Sequence, residues 1–328
     1  MRRLLLIGVL AASALATTST PAQACFDCGA TVGPAIGGSG VAAPSGGTHY
    51  IALTGLVTTI VAVDPSGAAR NWSTIRGMWG VPQVANDGTT AGVPANGRTL
   101  VIEHMSNRYP QRITRFAVLR THSLRVIRRI ALRGDFSFDA ISPDGARIYL
   151  IEHPRPGLAS YRVREYDVAG QRLLPRIITD PTRWGTVMHG TAVTRVSSQD
   201  GARAYTVYDK GNGHMFIHAL DTVHGKAVCI DLPRVSAAAA IGLQLRNGDR
   251  TLEVTQNGAA FQQIDTTSYV MSPATTRAVP VATAPVVTGG GGLPAGLLAA
   301  IAAAVLAAAA AVAVARRGRL PTWRPRSD

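Results

Sequence analysis

The chain is 328 residues long, with 33 Lys and Arg against 19 Asp and Glu and a formal net charge of +14. That is enough for one large domain or two smaller ones once the ends are set aside. The arginines are scattered along strand-like runs and no nucleic-acid-binding module appears. The charge therefore excludes DNA or RNA as the expected partner and points to anionic polymers or headgroups.

Arg2 and Arg3 precede an apolar run, Leu4 to Ala16, and Pro21-Ala22-Gln23-Ala24 supplies a small-x-small cleavage site. Residues 1–24 read as a secretory signal peptide cut after Ala24. Cys25 follows the cut, but Ala22 stands where a lipoprotein signal carries leucine, which favours ordinary cleavage. Residues 25–47, rich in Gly, Ala, Pro and Ser without periodicity, read as a lead-in loop. Cys25-Phe26-Asp27-Cys28 lacks the strand-to-helix setting of a redox pair. In an oxidising space the three cysteines predict one disulfide: Cys229 with Cys25 or Cys28, or Cys25 with Cys28. No His or Cys cluster supplies the four ligands of a zinc site.

Residues 48–271 read as recurring short strands. Units begin at Thr48, Gly97, Gly145, Gly201 and Gly248, a spacing of about 50 residues, within the period of four-stranded propeller blades. Four of the starts coincide with turns in which Asn or Asp precedes Gly: Asn96-Gly97, Asp144-Gly145, Asp200-Gly201 and Asn247-Gly248. Ser142-Pro143-Asp144-Gly145 places Pro second and Gly fourth, as a type I turn requires. In the following unit Tyr161, Val163 and Tyr166 alternate imperfectly with Arg162, Arg164 and Glu165, the pattern of a strand with one wet face. No helical run is long enough for βαβ units, which weighs against an α/β enzyme fold. The expected fold class is all-β, a β-propeller of about five to seven blades, each small sheet burying its apolar face on a neighbour.

Residues 272–292, Pro/Thr/Ala/Val-rich and ending in four glycines, read as a stalk. Leu293 to Ala315 is 23 residues without a charge, long enough for a transmembrane helix. Five arginines follow in 316–328, which by the positive-inside rule makes that tail cytoplasmic and the rest of the mature chain extracellular, a single-pass cell-membrane protein. Seven of the 33 basic residues lie in the signal and tail, with one of the 19 acidic, so the outer part keeps about +8.

The Ser142–Gly145 turn, the strand ending IYLIE and the following Tyr166-Asp167 are similar to the blades of WD40-like and YVTN-type propellers. With the segment from Met188 to Thr222, the chain resembles an actinobacterial family of secreted, C-terminally membrane-anchored propeller-like proteins of unassigned activity. The resemblance implies architecture over roughly 48–270 and no chemistry. The Gly-His and Trp-Asp blade marks and the YVTN sequence itself are missing.

Glu103-His104 and Glu152-His153 end apolar strands at matching places in consecutive units. Two carboxylates and two imidazoles there are compatible with a divalent metal or with proton transfer, but the favoured reading is an inherited strand-end signature, exposed or bonded to neighbouring loops. Arg108 and Arg155 follow in equivalent loops and favour an anion-seeking face. Arg183 and Trp184 sit in the longest insertion, where an exposed Trp beside Arg would anchor a glycan or polypeptide, although a Trp folded over a blade edge is the favoured reading. His218 reads as a half-buried, satisfied histidine. No G-x-S-x-G, H-E-x-x-H or P-loop pattern is present. The sequence calls for no cofactor. It favours a surface-anchored binding module for a protein or an anionic cell-envelope polymer. An extracytoplasmic lyase or hydrolase at the propeller channel, and an accessory or sensor subunit of a membrane complex, are the other readings.

Overall fold

The computed structural model describes residues 33–38, 40–154, 160–183, 185–236 and 239–274. The signal peptide, Cys25 and Cys28, Arg155, Trp184, most of the stalk, the apolar span and the basic tail lie outside the described residues.

The described residues form five antiparallel sheets in chain order and contain no helix. Two short strands come first, β1 (Pro34–Ala35) and β2 (Val41–Ala42). The first sheet runs from β2 through β3 (His49–Thr54), β4 (Val57–Val63) and β5 (Ala69–Arg76). The second comprises β6 (Trp79–Pro82), β7 (Thr99–His104), β8 (Ile113–Arg120) and β9 (Val126–Arg133), with β1 added beside β6. The third holds β10 (Phe136–Ile141), β11 (Arg147–Glu152), β12 (Ser160–Asp167) and β13 (Arg172–Ile178), and β14 (Met188–His189) pairs with β12. The fourth is β15 (Thr191–Ser197), β16 (Arg203–Asp209), β17 (Met215–Asp221) and β18 (Lys226–Asp231). The fifth is β19 (Ile241–Arg246), β20 (Thr251–Gln256), β21 (Ala259–Asp265) and β22 (Met271–Pro273).

Two expected boundaries move. The lead-in is not all loop, because it supplies β1 and β2 through main-chain pairing that carries no side-chain periodicity. Ser272 and Pro273, assigned to the stalk, close the edge of the fifth sheet.

The recurring turns are the same device at the atomic level. In the third sheet Ser142 Oγ donates to Asp144 Oδ1 (2.6 Å) and accepts from Arg147 N (2.9 Å), while Gly145 N donates to Ser142 O (2.9 Å). Ser198, Asp200, Gly201 and Arg203 repeat each of these bonds in the fourth. Gly145 and Gly201 take φ of +76° and +70°, which a Cβ would disfavour. At the opposite end, Thr58 and Thr114 brace the crossings between sheets. Thr114 Oγ1 donates to Gly134 O (2.9 Å) and accepts from Phe136 N (3.0 Å); Thr58 does the same for Gly77 O and Trp79 N.

Each sheet packs on the next. Tyr50, Ile60 and Ile75 of the first meet Trp79, Leu100 and Ile102 of the second. Val101, Phe116 and Ile130 meet Phe138, Ile148 and Leu150 of the third. Tyr149, Tyr161 and Val163 meet Tyr208, Phe216 and Leu220 of the fourth. Met215, Ile217 and Ala219 meet Leu243, Leu252 and Val254 of the fifth. Fully burying one such side chain contributes about 1.5–3 kcal/mol. The middle sheets are therefore covered on both faces, and the expectation of one wet face on Tyr161–Asp167 is corrected. Tyr161 and Val163 face the fourth sheet and Tyr166 the second, so the imperfect alternation is ordinary alternation between two buried faces.

One loop, 83–97, ties several sheets together. Asn86 N and Asp87 N donate to Ala192 O and Val193 O of the fourth sheet, Thr90 Oγ1 to Gly40 O, and Asn96 N to Pro143 O of the third. This all-β arrangement of four- and five-stranded sheets is consistent with a propeller-like fold.

Candidate functional site

The crevice between the second and third sheets opens into a cavity of about 220 Å³ lined by Glu103, Arg108, Tyr109, Gln111, Asp135 and Ser137. Strand alternation puts Glu103 there. Leu100 and Ile102 face the first sheet and Val101 faces the third, so Glu103 turns toward the third and is 3% exposed. Asp135 comes from the crossing that Thr114 braces, and its carbonyl accepts from His153 N at 2.9 Å.

Burial pushes the Glu103 carboxyl up to about 8, against a hydrogen bond from the Phe138 main chain, and the charge of Asp135 pushes it further in the same direction. Burial raises Asp135 too, opposed by a main-chain bond at Gln111, and its Oδ2 is buried without a partner. The buried Glu103 carboxyl therefore keeps its proton at neutral pH. Glu103 is then a hydrogen-bond donor, and Asp135 Oδ2 an acceptor awaiting one. Arg108 stands exposed at the rim.

The four sequence candidates do not converge. His104 turns the other way, edge-on to Trp79 with ring centroids 5.0 Å apart, and burial and then Arg115 lower its pKa. Glu152 is ion-paired with Arg164 at 2.7 Å. Burial lowers His153, with the Ser160 main chain opposing. The matched Glu-His pairs are not structurally equivalent. β7 begins at Thr99 and β11 at Arg147, each two residues past its turn glycine, so Glu103 corresponds to Ile151 and His104 to Glu152; β11 carries four apolar residues before its Glu where β7 carries three, which displaces the motif by one residue and so to the other face. Among the described residues no three His, Cys, Asp or Glu side chains gather as a metal would require.

The expected anchor at Arg183 is engaged internally. Arg183 pairs with Asp231 at 2.8 Å and donates to Cys229 O at 3.1 Å, while Asp180 Oδ2 accepts from Cys229 N at 2.8 Å. These bonds occupy the outer edge of the fourth sheet. Cys229 is a free thiol in the structure, and burial pushes it up to about 11. Its anticipated partners, Cys25 and Cys28, lie outside the described residues, as does the alternative Cys25–Cys28 bridge.

Sequence reasoning missed a second polar group between the third and fourth sheets. Arg195 Nη1 meets Asp139 Oδ1 at 2.5 Å, with both side chains at most 5% exposed. Tyr161 and Tyr208 stack beside them at 4.7 Å. His218 is 1% exposed rather than half-buried, burial lowers its pKa, and its Nε2 has no partner, as is true of Asp139 Oδ2 and Arg195 Nε. A signal existed: Asp139 and Arg195 each stand three residues before the turn serine of their unit, with opposite charge.

No known protein family matches the sequence, and no curated protein is similar to it. Solved structures with a related course of strands include hydrazine synthase from Kuenenia stuttgartiensis, at 16% identity and a TM-score of 0.39, over 68% of this chain and 75% of that one. TolB from Acinetobacter baumannii matches at 15% and 0.39, over 69% and 51%. The dihydro-heme d1 dehydrogenase NirN matches at 11% and 0.43, over 74% and 46%. The chain thus spans about half the length of the last two.

Proposed function

We propose that this chain is an exported, membrane-tethered binding module built as a closed propeller, and that the Glu103–Asp135 crevice recognises a hydroxyl-bearing anionic polymer of the cell envelope. The reading of export and tethering rests on residues 1–24 and 293–315 of the sequence. The ring is supported by loop 83–97, whose bonds to the third and fourth sheets require those sheets to curve toward a common centre.

The observation that carries the ligand is Asp135 Oδ2, a buried acceptor without a partner at the floor of a cavity rimmed by Arg108. A ligand hydroxyl satisfies the first and a phosphate or carboxylate the second. Sheets on both sides fix the pair, so recognition needs little reordering.

Titration with poly(glycerol phosphate) and with a neutral glycan of similar length tests the reading. Binding to the first alone, weakening with salt and lost in Arg108→Ala and Asp135→Asn, is the expected result. Equal affinity for both probes, or binding indifferent to those substitutions, removes it. The same carboxyl pair also favours a second reading, general acid–base catalysis with Glu103 as the acid. Turnover of the bound polymer that disappears in Glu103→Gln would select it.

A further inference from the structure

The end of the first two sheets that carries the β3–β4 turn is apolar and basic at once. Leu56, at the tip of that turn, is 99% exposed, and Val57, Met78, Tyr109 and Ile113 are 38–48% exposed. They belong to one end. Val57 pairs with Arg76, Thr58 Oγ1 bonds Gly77 O, Met105 N bonds Met78 O, and Ile113 pairs with Arg133 across β8–β9. Arg76, Arg112 and Arg133 are exposed among them. None is in an ion pair with a described residue. The acidic residues of that end, Glu103 and Asp135, are buried in the crevice.

A large apolar side chain held fully in water on a tight turn is uncommon in isolation, and a cluster of five is a contact surface. Cationic side chains around a protruding apolar tip match an anionic bilayer. The tip enters the interface by about 5–10 Å, and the guanidinium groups reach headgroup phosphates with their stems along the apolar boundary. A soluble polyanion would use the arginines and leave Leu56 in water. Edge protection does not account for the charge either. β18, an edge strand of the fourth sheet, carries one Lys and one Asp, whereas the second sheet has seven arginines and no acid from Arg112 to Arg133.

We infer that this end docks on the surface of a membrane containing anionic phospholipid, with Leu56 inserted and Arg76, Arg112 and Arg133 on headgroup phosphates. The inference does not rest on what the crevice binds, though Tyr109 borders both surfaces.

The test uses the full chain in nanodiscs of phosphatidylcholine alone, or of two parts phosphatidylcholine to one of phosphatidylglycerol. An environment-sensitive fluorophore is placed by Leu56→Cys in a chain whose Cys25, Cys28 and Cys229 are Ser. A second chain carries it at Val223→Cys, beyond β17 at the opposite end. The expected result is a blue shift and quenching by lipid nitroxides at position 56 with phosphatidylglycerol, reversed by high salt, and a wet label at 223. Each arginine reversed to Glu should lower the docked fraction by about fivefold or more. Circular dichroism of every variant verifies that the β-sheet fold is retained. A wet label at 56 in both discs overturns the inference. So does a blue shift indifferent to phosphatidylglycerol and to Arg76→Glu, Arg112→Glu and Arg133→Glu, or one that appears only when a membrane protein fraction is added. Arg108→Ala and Asp135→Asn should leave docking intact, which separates this result from the fate of the crevice reading.

Discussion

The phenol of Tyr149, in the third sheet, donates to the main-chain oxygen of Thr222 in the fourth across 2.9 Å. At the matching places Tyr50 of the first sheet lies by the Thr121 side chain of the second, and Tyr205 of the fourth by the Thr266 side chain of the fifth. The position on β7 that would carry the tie from the second sheet to the third is Val101, and that junction is where the cavity opens.

Tyr149→Phe keeps the ring and removes the bond. The buried Thr222 carbonyl then loses a donor, and we expect a loss of about 1 kcal/mol. In urea the midpoint should fall with an unchanged slope.

Glu103 gives stability a pH dependence of definite sign. Unfolded, it ionises near 4.5; folded, it keeps its proton to about 8. Between those values the folded state binds more protons, so stability falls as pH rises and levels off above about 8. Glu103→Gln should abolish that fall and stabilise the protein at alkaline pH by a few kcal/mol, on the order of 3–5. His153 and His218 act oppositely. Burial lowers both, so the unfolded chain takes up protons first and stability drops as pH falls below about 6.5. The acid limb should survive in Glu103→Gln, as thermal melts across pH would show.

The Asp139–Arg195 pair is expected to behave as a buried ion pair. Asp139→Ala strands a guanidinium and should cost about 3–5 kcal/mol, whereas Asp139→Leu with Arg195→Met should recover most of that loss. A double variant as unstable as the sum of Asp139→Leu and Arg195→Met alone would refute this account, and equilibrium unfolding of the parent, these two and the double decides it.

Gly201 and Gly248 separate backbone strain from crowding. Both have positive φ, but a Cβ on Gly201 would meet Ala95 Cβ at 3.1 Å and one on Gly248 meets nothing within 4 Å. Gly248→Ala should cost about 1 kcal/mol and Gly201→Ala measurably more, read from urea midpoints.

The turns were legible because Asp-Gly and Asn-Gly report a local requirement, a positive φ after a side chain that caps its own turn. Met215 to Leu220 was legible too: its two alternating sets face different sheets, as the spacing predicts. The Glu-His equivalence failed because one extra apolar residue within β11 reverses facing along a strand without altering the look of the motif. Asp135 beside Glu103 and Arg195 on Asp139 are meetings between units, and no local rule announces them. Pro34–Ala35 is a strand only because β6 offers an edge to it.

Loop 83–97 starts in the second sheet and hydrogen-bonds to the inner strand of the fourth, passing over the third. Its reach is cut to the width of a single intervening sheet. The third sheet therefore cannot be duplicated or removed as in an open solenoid, where each unit touches only its neighbours. A duplication or deletion between residues 136 and 190 would leave this crossbar the wrong length, so the span of one loop admits a single sheet at that place.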